Sequence, residues 1–316
     1  MSTPGSEPVH LEVVVPAYNE AERLPGGLAL LGEKLAGLGL RSRILVVDNA
    51  STDGTASVVR DWDGPVPARL LRCALRGKGA AVRVGLLATQ APYVGFCDAD
   101  MATDLSALDE ALALLRAGHP VVVGSRRHPS SLVEGYGQPM RRLGALTFNR
   151  LVRDLAGDIP DTQCGFKFFH GPLVRLAAAD LETTGFAFDV ELLMHCVRRG
   201  AEVTAIPVVW RDRPGTTFSV RRHSAECLLD LARIRARAGL PGLLRAVRGA
   251  RPAGSAPASG GPGAHAPGGP AASGTGDPGS EASAWAGSSG RARPAQPSAQ
   301  PVPPLVLPEG TGAGAG

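Results

Sequence analysis

The sequence predicts an α/β fold in which a mainly parallel central sheet is flanked by helices. Two observations carry this reading. Short apolar, β-branched runs recur between Leu11 and Gly124, each followed by a stretch with helical spacing. Polar and charged residues then gather directly after those runs, and ligands of open parallel sheets sit outside the carboxyl ends of the strands.

Taken in order, Leu11 to Pro16 is a buried strand stopped by proline, and Asn19 is placed to cap a helix running to about Leu38. Ile44 to Asp48 repeats the strand pattern, and Ser51-Thr52-Asp53-Gly54 opens a second helix through Trp62. Arg69 to Arg72 is a third strand. Gly77-Lys78-Gly79 leads into a helix from Ala80 to Thr89, and Tyr93 to Cys97 is the next strand. Ser106 caps a helix from Ala107 to Arg116, and Pro120 to Gly124 is a further strand. Beyond Pro129 the alternation breaks. A flexible stretch, Pro129 to Pro139, precedes a helix around Met140 to Leu155, and a later helix holds Asp189 to Arg199.

The organisation expected is a flexible N-terminus (1–10), a folded domain (11–222), a basic amphipathic helical segment (223–248) and a tail (249–316). The tail is Pro, Gly, Ala and Ser, too poor in large apolar side chains to offset its chain entropy, and is read as disordered. The formal charge of +4 is mild and no Lys/Arg block is interleaved with aromatics, so nucleic-acid binding has little support. The 5 cysteines are scattered without a C-x-x-C pair, which suits a reducing compartment. No signal pattern and no apolar run of about 20 residues is present. A cytoplasmic protein is expected, attached at most peripherally at the inner face of the plasma membrane. The basic segment supplies that contact: arginines alternating with Leu228, Leu229, Leu231 and Ile234 suit an anionic surface, at about 1 kcal/mol per cation. A surface helix packed on the domain explains the same pattern.

Four loops present chemistry on the predicted carboxyl edge: Tyr18 to Glu20, Asp48 to Asp53, Asp98 to Asp100 and Ser125 to Arg127. Asp98-Ala99-Asp100 follows an apolar strand directly. Carboxylates two apart at a strand end can converge on Mg²⁺ or Mn²⁺, which prefer hard oxygen ligands and keep positions open for phosphate oxygens. Helix capping is the competing explanation, with Asp104 and Ser106 beside them. Asp48 is placed to face a ligand and Asp53 to cap a helix. Arg76-Gly77-Lys78-Gly79 puts cations and flexible backbone at a helix start, a natural anion site without Walker spacing. Asp189 and Glu191 either face a sugar or act as a base; in the alternative Asp189 caps a helix, with Phe186 and Phe188 in the core. Cys164 reads as a buried small residue. Arg126, Arg127, Arg141 and Arg142 flank the flexible stretch and are placed to clamp an anionic acceptor.

Val13-Val14-Val15-Pro16-Ala17-Tyr18-Asn19-Glu20, Val46 to Gly54 and Asp98-Ala99-Asp100 together resemble family 2 glycosyltransferases with the GT-A, or nucleotide-diphospho-sugar transferase, fold. Asp161 to Lys167 and Gly185 to Glu191 are similar to the dolichyl-phosphate β-glucosyltransferase and polyprenyl-phosphate branch, and the match runs from about Val13 to Val220. The resemblance implies an inverting hexosyltransferase, with UDP-glucose favoured as donor and a lipid phosphate as acceptor. It implies donor binding by Pro16, Tyr18, Asn19, Glu20, Asp48, Lys78 and Asp98, and Mg²⁺ or Mn²⁺ at Asp98 and Asp100. Arg126 with Arg127, Arg141 or Arg142 would hold the acceptor phosphate; Asp98, Asp100, Arg126 and Asp189 are the catalytic candidates. Two positions depart from the pattern. Ala102 stands where lipid-phosphate mannosyltransferases often carry a polar metal ligand, leaving Thr103 or water to substitute. Gly215-Thr216-Thr217 lacks the lysine of a Gly-Ser-Lys that follows the tryptophan matching Trp210. A soluble carbohydrate or natural-product acceptor, and a non-catalytic sugar-nucleotide-binding protein, are the alternatives. A nucleotidyltransferase would need a Gly-rich N-terminal phosphate loop that this sequence lacks.

Overall fold

The strand runs become seven ordered strands of one sheet. The computed structural model describes residues 8–135, 152–212 and 226–239. In chain order the elements are β1 (Leu11–Ala17), α1 (Leu24–Gly37), β2 (Ser42–Asp48), α2 (Thr55–Arg60), β3 (Ala68–Arg72), α3 (Lys78–Ala88), β4 (Tyr93–Cys97), α4 (Ala107–Arg116), β5 (Val121–Ser125) and β6 (Leu132–Glu134). Helix α5 (residues 152–156) follows. Then come β7 (Phe166–His170), α6 (Gly171–Ala179), α7 (Phe188–Arg198), β8 (Val203–Pro207) and β9 (Val209–Arg211). Helix α8 covers residues 226–239.

The main sheet has the order β3-β2-β1-β4-β7-β5-β8, and a small second sheet pairs β6 with β9. Strands β1 to β4 are mutually parallel. Strand β7 runs antiparallel between β4 and β5, with Phe96 opposite Lys167 and Val123 opposite Lys167 on the other side. Both faces are covered, which is why β1 and β2 are apolar at nearly every position instead of alternating. On one face lie α1 and α4: Leu24, Leu28, Leu31 and Leu35 recur at helical spacing and meet Leu108, Leu112, Phe166 and Phe168. On the other lie α3, α6 and α7, with Val82, Val174, Phe188 and Val190 against Phe96 and Phe169. Helix α8 joins that second layer through Leu231 and Ile234.

Several expectations are corrected. Asn19 does not cap α1. The helix starts at Leu24, beside Pro25, and no side chain caps it. Asn19 instead adopts a left-handed φ of 53°, and its side chain accepts a hydrogen bond from Thr52 N at 2.9 Å. Helix α2 is one turn shorter at its start, because Asp48 and Asp53 hold residues 51–55 in turns through Ser51 N and Thr55 N. Helix α3 begins at Lys78, not Ala80. No side chain caps α4. Part of the stretch expected to be flexible is strand: Leu132–Glu134 pairs with Val209–Arg211. The helix expected over Met140 to Leu155 is described only over 152–156; Met140 to Leu151 lie outside the described residues, as do Gly215 to Thr217 and the tail. The central strand Phe166–His170 was not anticipated.

Candidate active site

Strands β1, β2, β4 and β5 all point their carboxyl ends to one edge, and antiparallel β7 begins there. Three non-glycine residues among those described have left-handed φ: Asn19, Ala50 and Met101. They lie in the loops after β1, β2 and β4, two, two and four residues past the strand ends. Such conformations cost on the order of 1–3 kcal/mol and persist where the surroundings over-determine them, commonly at functional sites. The strain is concentrated on the edge where the motifs are.

Asp98 is the first residue after β4. Met101 N closes the turn back onto Asp98 O at 3.1 Å, and Ala102 N donates to Asp100 Oδ1 at 3.1 Å. Lys78 Nζ lies 2.6 Å from Asp98 Oδ1. Burial pushes the Asp98 carboxyl up, but Lys78, with Lys167 and Arg126 behind it, holds it below the usual carboxylate value. Burial and the neighbouring Asp98 charge drive Asp100 the other way, upward. Two carboxylates with opposed shifts thus share one turn. For Lys78 burial acts downward, yet Asp98 and Asp189 outweigh it and raise the amine.

The backbone around this pair admits nothing larger than glycine. A Cβ on Gly165 would collide with the Asp98 carboxylate, and one on Gly77 would strike the Thr184 carbonyl, at a φ of 130° that already favours glycine. Gly79 lies as closely against Thr183 and Phe188. The anion loop of the sequence reading is therefore a packed turn: Ala80 N donates to Thr184 O at 3.2 Å, and Gly77 N donates to Asn49 Oδ1 at 2.8 Å. Asn49 also donates to Leu75 O at 2.7 Å, tying the end of β2 to this loop. Its side chain carries more of the site than the sequence reading gave it.

The remaining donor-side candidates fall into place around the turn. Tyr18 is partly exposed and lies under the Arg76 guanidinium, 5.5 Å from its ring centroid. Pro16 is half-buried at the end of β1. Asp48 is buried and its Oδ1 accepts from Ser51 N at 3.1 Å, so it both caps a turn and borders the cleft. Glu20 is gripped by Arg23 through both oxygens, at 2.7 and 2.6 Å. Burial raises its carboxyl, and Asp100 and Asp98 add to that rise against the pull of Arg23. Asp53 is structural without capping α2: Oδ1 accepts from Thr55 N and Oδ2 from Ala21 N.

The acceptor-side candidates are more committed than the sequence suggested. Arg126 donates from Nε and Nη2 to both oxygens of buried Asp161, at 2.7 and 2.9 Å, and its backbone N donates there too. Its guanidinium also lies 5.8 Å from the Trp210 ring centroid. Arg127 is half-buried beside Ser125. Arg141 and Arg142 lie outside the described residues. Asp189 is not a cap: it sits inside the first turn of α7, 2% exposed, accepting from Lys167 Nζ at 2.5 Å. Lys167 is fully buried, donates also to Cys164 O at 2.5 Å, and lies over the Phe96 ring. Glu191 Oε2 accepts from Thr183 N at 2.7 Å and its Oε1 meets Arg237 at 3.2 Å. Cys164 is buried as expected, and all five cysteines are free.

Two features of residues 98–100 suit a divalent cation. Asp98 Oδ1 is buried, and the charge facing it is the Lys78 ammonium at 2.6 Å. Gly165 leaves the space its carboxylate fills. Mg²⁺ and Mn²⁺ are commonly bound by one or two carboxylates with substrate phosphates completing the shell. Among the described residues no group of three or more His, Cys, Asp or Glu forms a cation cage. Thr103, one candidate to substitute for the polar residue missing at Ala102, is buried with its hydroxyl 3.8 Å from Cys164 Sγ.

Two arginines tie helix α8 to the domain: Arg235 pairs with Asp154 at 2.8 Å and Arg237 with Glu182 at 2.7 Å, while Arg233 pairs within the helix, with Asp230 at 3.1 Å. Arg235 and Arg237 thus behave as the packed-helix alternative expects. Leu228 and Leu229 remain more than half exposed. Among the described residues no helix is long and apolar enough to cross a membrane.

The family model for glycosyl transferase family 2 matches residues 12–178. A dolichyl-phosphate beta-glucosyltransferase from Dictyostelium discoideum is 32% identical over 72% of this chain and 75% of its own length. One from Trichomonas vaginalis is 34% identical over 65% of this chain, which spans 64% of that relative. Among solved structures, glucosyl-3-phosphoglycerate synthase from Mycobacterium tuberculosis is similar at 18% identity. In complex with uridine diphosphate it gives a TM-score of 0.56 over 73% of this chain and 80% of that one. In complex with Mn²⁺ and uridine-diphosphate-glucose it gives 0.51, at 19% identity, over 71% and 79%. That likeness shows the fold, an α/β sheet of GT-A type. The chain belongs to glycosyltransferase family 2.

Proposed function

We propose that this member of glycosyltransferase family 2 transfers glucose, with inversion, from UDP-glucose to a dolichyl or other polyprenyl phosphate. The single observation that carries the reading is the Asp98–Asp100 turn with Lys78 at 2.6 Å, placed on the strained carboxyl edge of the sheet. The named activity of the relatives supports the sugar and the acceptor class. The cation and nucleotide in the similar fold support the donor end.

A phosphate oxygen of the acceptor is anionic near neutral pH and attacks the anomeric carbon without a strong general base. The new carbon–oxygen bond forms as the bond to the diphosphate breaks, and the electron pair leaves with the diphosphate. This chain's task is to position the two phosphates and stabilise the departing one electrostatically. Lys78 and the start of α3 face the diphosphate; Mg²⁺ or Mn²⁺, held by Asp98 and Asp100, would supply further neutralisation there. Tyr18, Arg76 and Asp48 border the nucleotide end. Arg126, fixed by Asp161, acts as an oriented positive charge for the acceptor, with Arg127, Arg141 and Arg142 beside it. Asp189, bound to Lys167, acts through the charge balance of the site and not as a base. Peripheral membrane contact in this reading uses Leu228 and Leu229, on the cytoplasmic side where nucleotide sugars are available.

The test is transfer from a panel of radiolabelled nucleotide sugars to polyprenyl phosphate, followed by organic extraction. Label in the organic phase with UDP-glucose is the expected result. Label only in a water-soluble product would assign a soluble acceptor instead, and saturable nucleotide binding without turnover would make the protein a binding module.

A further inference from the structure

Lys78 is the first residue of α3, where the helix dipole disfavours a cation. It is nevertheless placed there with its ammonium 2.6 Å from Asp98 Oδ1. That oxygen is covered, although the Asp98 side chain as a whole remains 34% exposed and the Lys78 side chain 22%. The ammonium thus occupies one face of the carboxylate expected to hold a divalent cation, while both side chains remain reachable from the cleft. The contact is a close ion pair, and Asp98 is the leading charge that outweighs burial at the Lys78 amine. The loop beneath is rigid: Gly77 and Gly79 pack on the Thr183 and Thr184 carbonyls, and Asn49 holds Gly77 N.

We infer that Lys78 is an exchangeable counter-ion, closing Asp98 to divalent cations until a nucleotide diphosphate draws its ammonium away. The inference rests on the donor-and-cation reading above and adds to it an order of binding. In the empty site the ammonium neutralises Asp98. When a diphosphate arrives at the start of α3, its oxygens outcompete one carboxylate for the ammonium. Asp98 and Asp100 then lose their nearest compensating charge, beside newly bound phosphate oxygens. Cation and diphosphate therefore bind with positive coupling, and by linkage each raises the affinity for the other by the same factor. A catalytic phosphate-binding lysine without this second role would predict a different pattern, because removing it would not improve cation binding.

The experiment measures Mn²⁺ binding to the full chain by calorimetry, with and without UDP, and UDP binding without Mn²⁺, in wild type and Lys78→Met. The expected signs are opposite for the two ligands. Removing a positive charge in contact with Asp98 should tighten Mn²⁺ binding to the nucleotide-free protein by about tenfold or more. UDP alone should bind about tenfold more weakly, having lost a charge-assisted contact. The factor by which UDP enhances Mn²⁺ affinity should shrink toward one. Lys78→Gln, which keeps a polar stem of similar reach, should show the same pattern and serves as the comparison if the methionine variant loses the wild-type circular dichroism. If wild type binds Mn²⁺ in the presence of UDP, but neither variant binds it more tightly in its absence, the counter-ion role is overturned and the donor-and-cation reading stands. If no protein binds Mn²⁺ with or without UDP, that reading falls and takes this inference with it.

Discussion

Lys167→Met should be the most destabilising single substitution near the site that touches no substrate. Lys167 is fully buried in the middle of the central antiparallel strand, and its ammonium holds Asp189 Oδ1 and the Cys164 carbonyl, both at 2.5 Å. Methionine preserves most of the stem volume and removes the charge. Asp189, 2% exposed, is then left without its partner, a situation that costs about 3–5 kcal/mol in other buried pairs. The lost donor to Cys164 O adds roughly 1 kcal/mol. Burial already raises the Asp189 carboxyl against the pull of Lys167 and Lys78, so the variant can escape part of the penalty by protonating it. A raised folded-state value gives stability that is present at low pH and lost as pH rises, so the deficit should narrow as the pH falls toward 4. Denaturant unfolding at neutral pH should show a loss of about 3 kcal/mol or more. Lys167→Met combined with Asp189→Leu should recover most of it, since an apolar pair replaces an ion pair at little net cost. A single variant within about 1 kcal/mol of wild type, or a double variant no more stable than the single, would refute the reasoning.

Two further outcomes follow from the same geometry. Gly165→Ala places a Cβ against the Asp98 carboxylate; kcat/KM should fall by on the order of a hundredfold, as misplacement of about 1 Å does elsewhere, and an unchanged initial rate would mean that Asp98 need not sit where it does. Asp161 is pushed up by burial but held below its usual value of 3.8 by Arg126, so its stabilisation is present above that value and lost as pH falls through the folded one. Asp161→Asn should cost about 2 kcal/mol at neutral pH and flatten the acid limb of the stability curve, a change that unfolding midpoints between pH 3 and 7 would detect.

The parallel half of the fold was legible because each strand there is an isolated apolar run. Val13 to Val15 and Val46 to Val47 cannot be amphipathic helix surface, and their polar sequels mark the cleft edge. Phe166–His170 escaped notice because Lys167 interrupts its apolar pattern, and nothing local shows that a lysine will be buried against Asp189. That one strand, being antiparallel, also brings Asp161 and Gly165 to the cleft. Arg126 with Asp161, and Asp53 with Ala21 N, are pairs that depend on tertiary placement, whereas Glu20 with Arg23 is a local pair three residues apart. The turn of Asn19 was misread because a capping residue and a left-handed residue have the same composition. Asn49 could have been found, since asparagine after a strand and before a tight turn commonly bonds to backbone.

In the proposed function the Asp98–Asp100 turn is the diphosphate end of a lipid-phosphate glucosyltransferase. Its most direct test compares the full chain with Asp100→Ala, using UDP-glucose labelled in the sugar, Mn²⁺ and dolichyl phosphate, and counts label extracted into organic solvent. The wild-type protein should transfer label, lose that activity when the cation is chelated, and exceed the variant by about a hundredfold or more. Transfer by Asp100→Ala at the wild-type rate, unaffected by chelation, would contradict the claim.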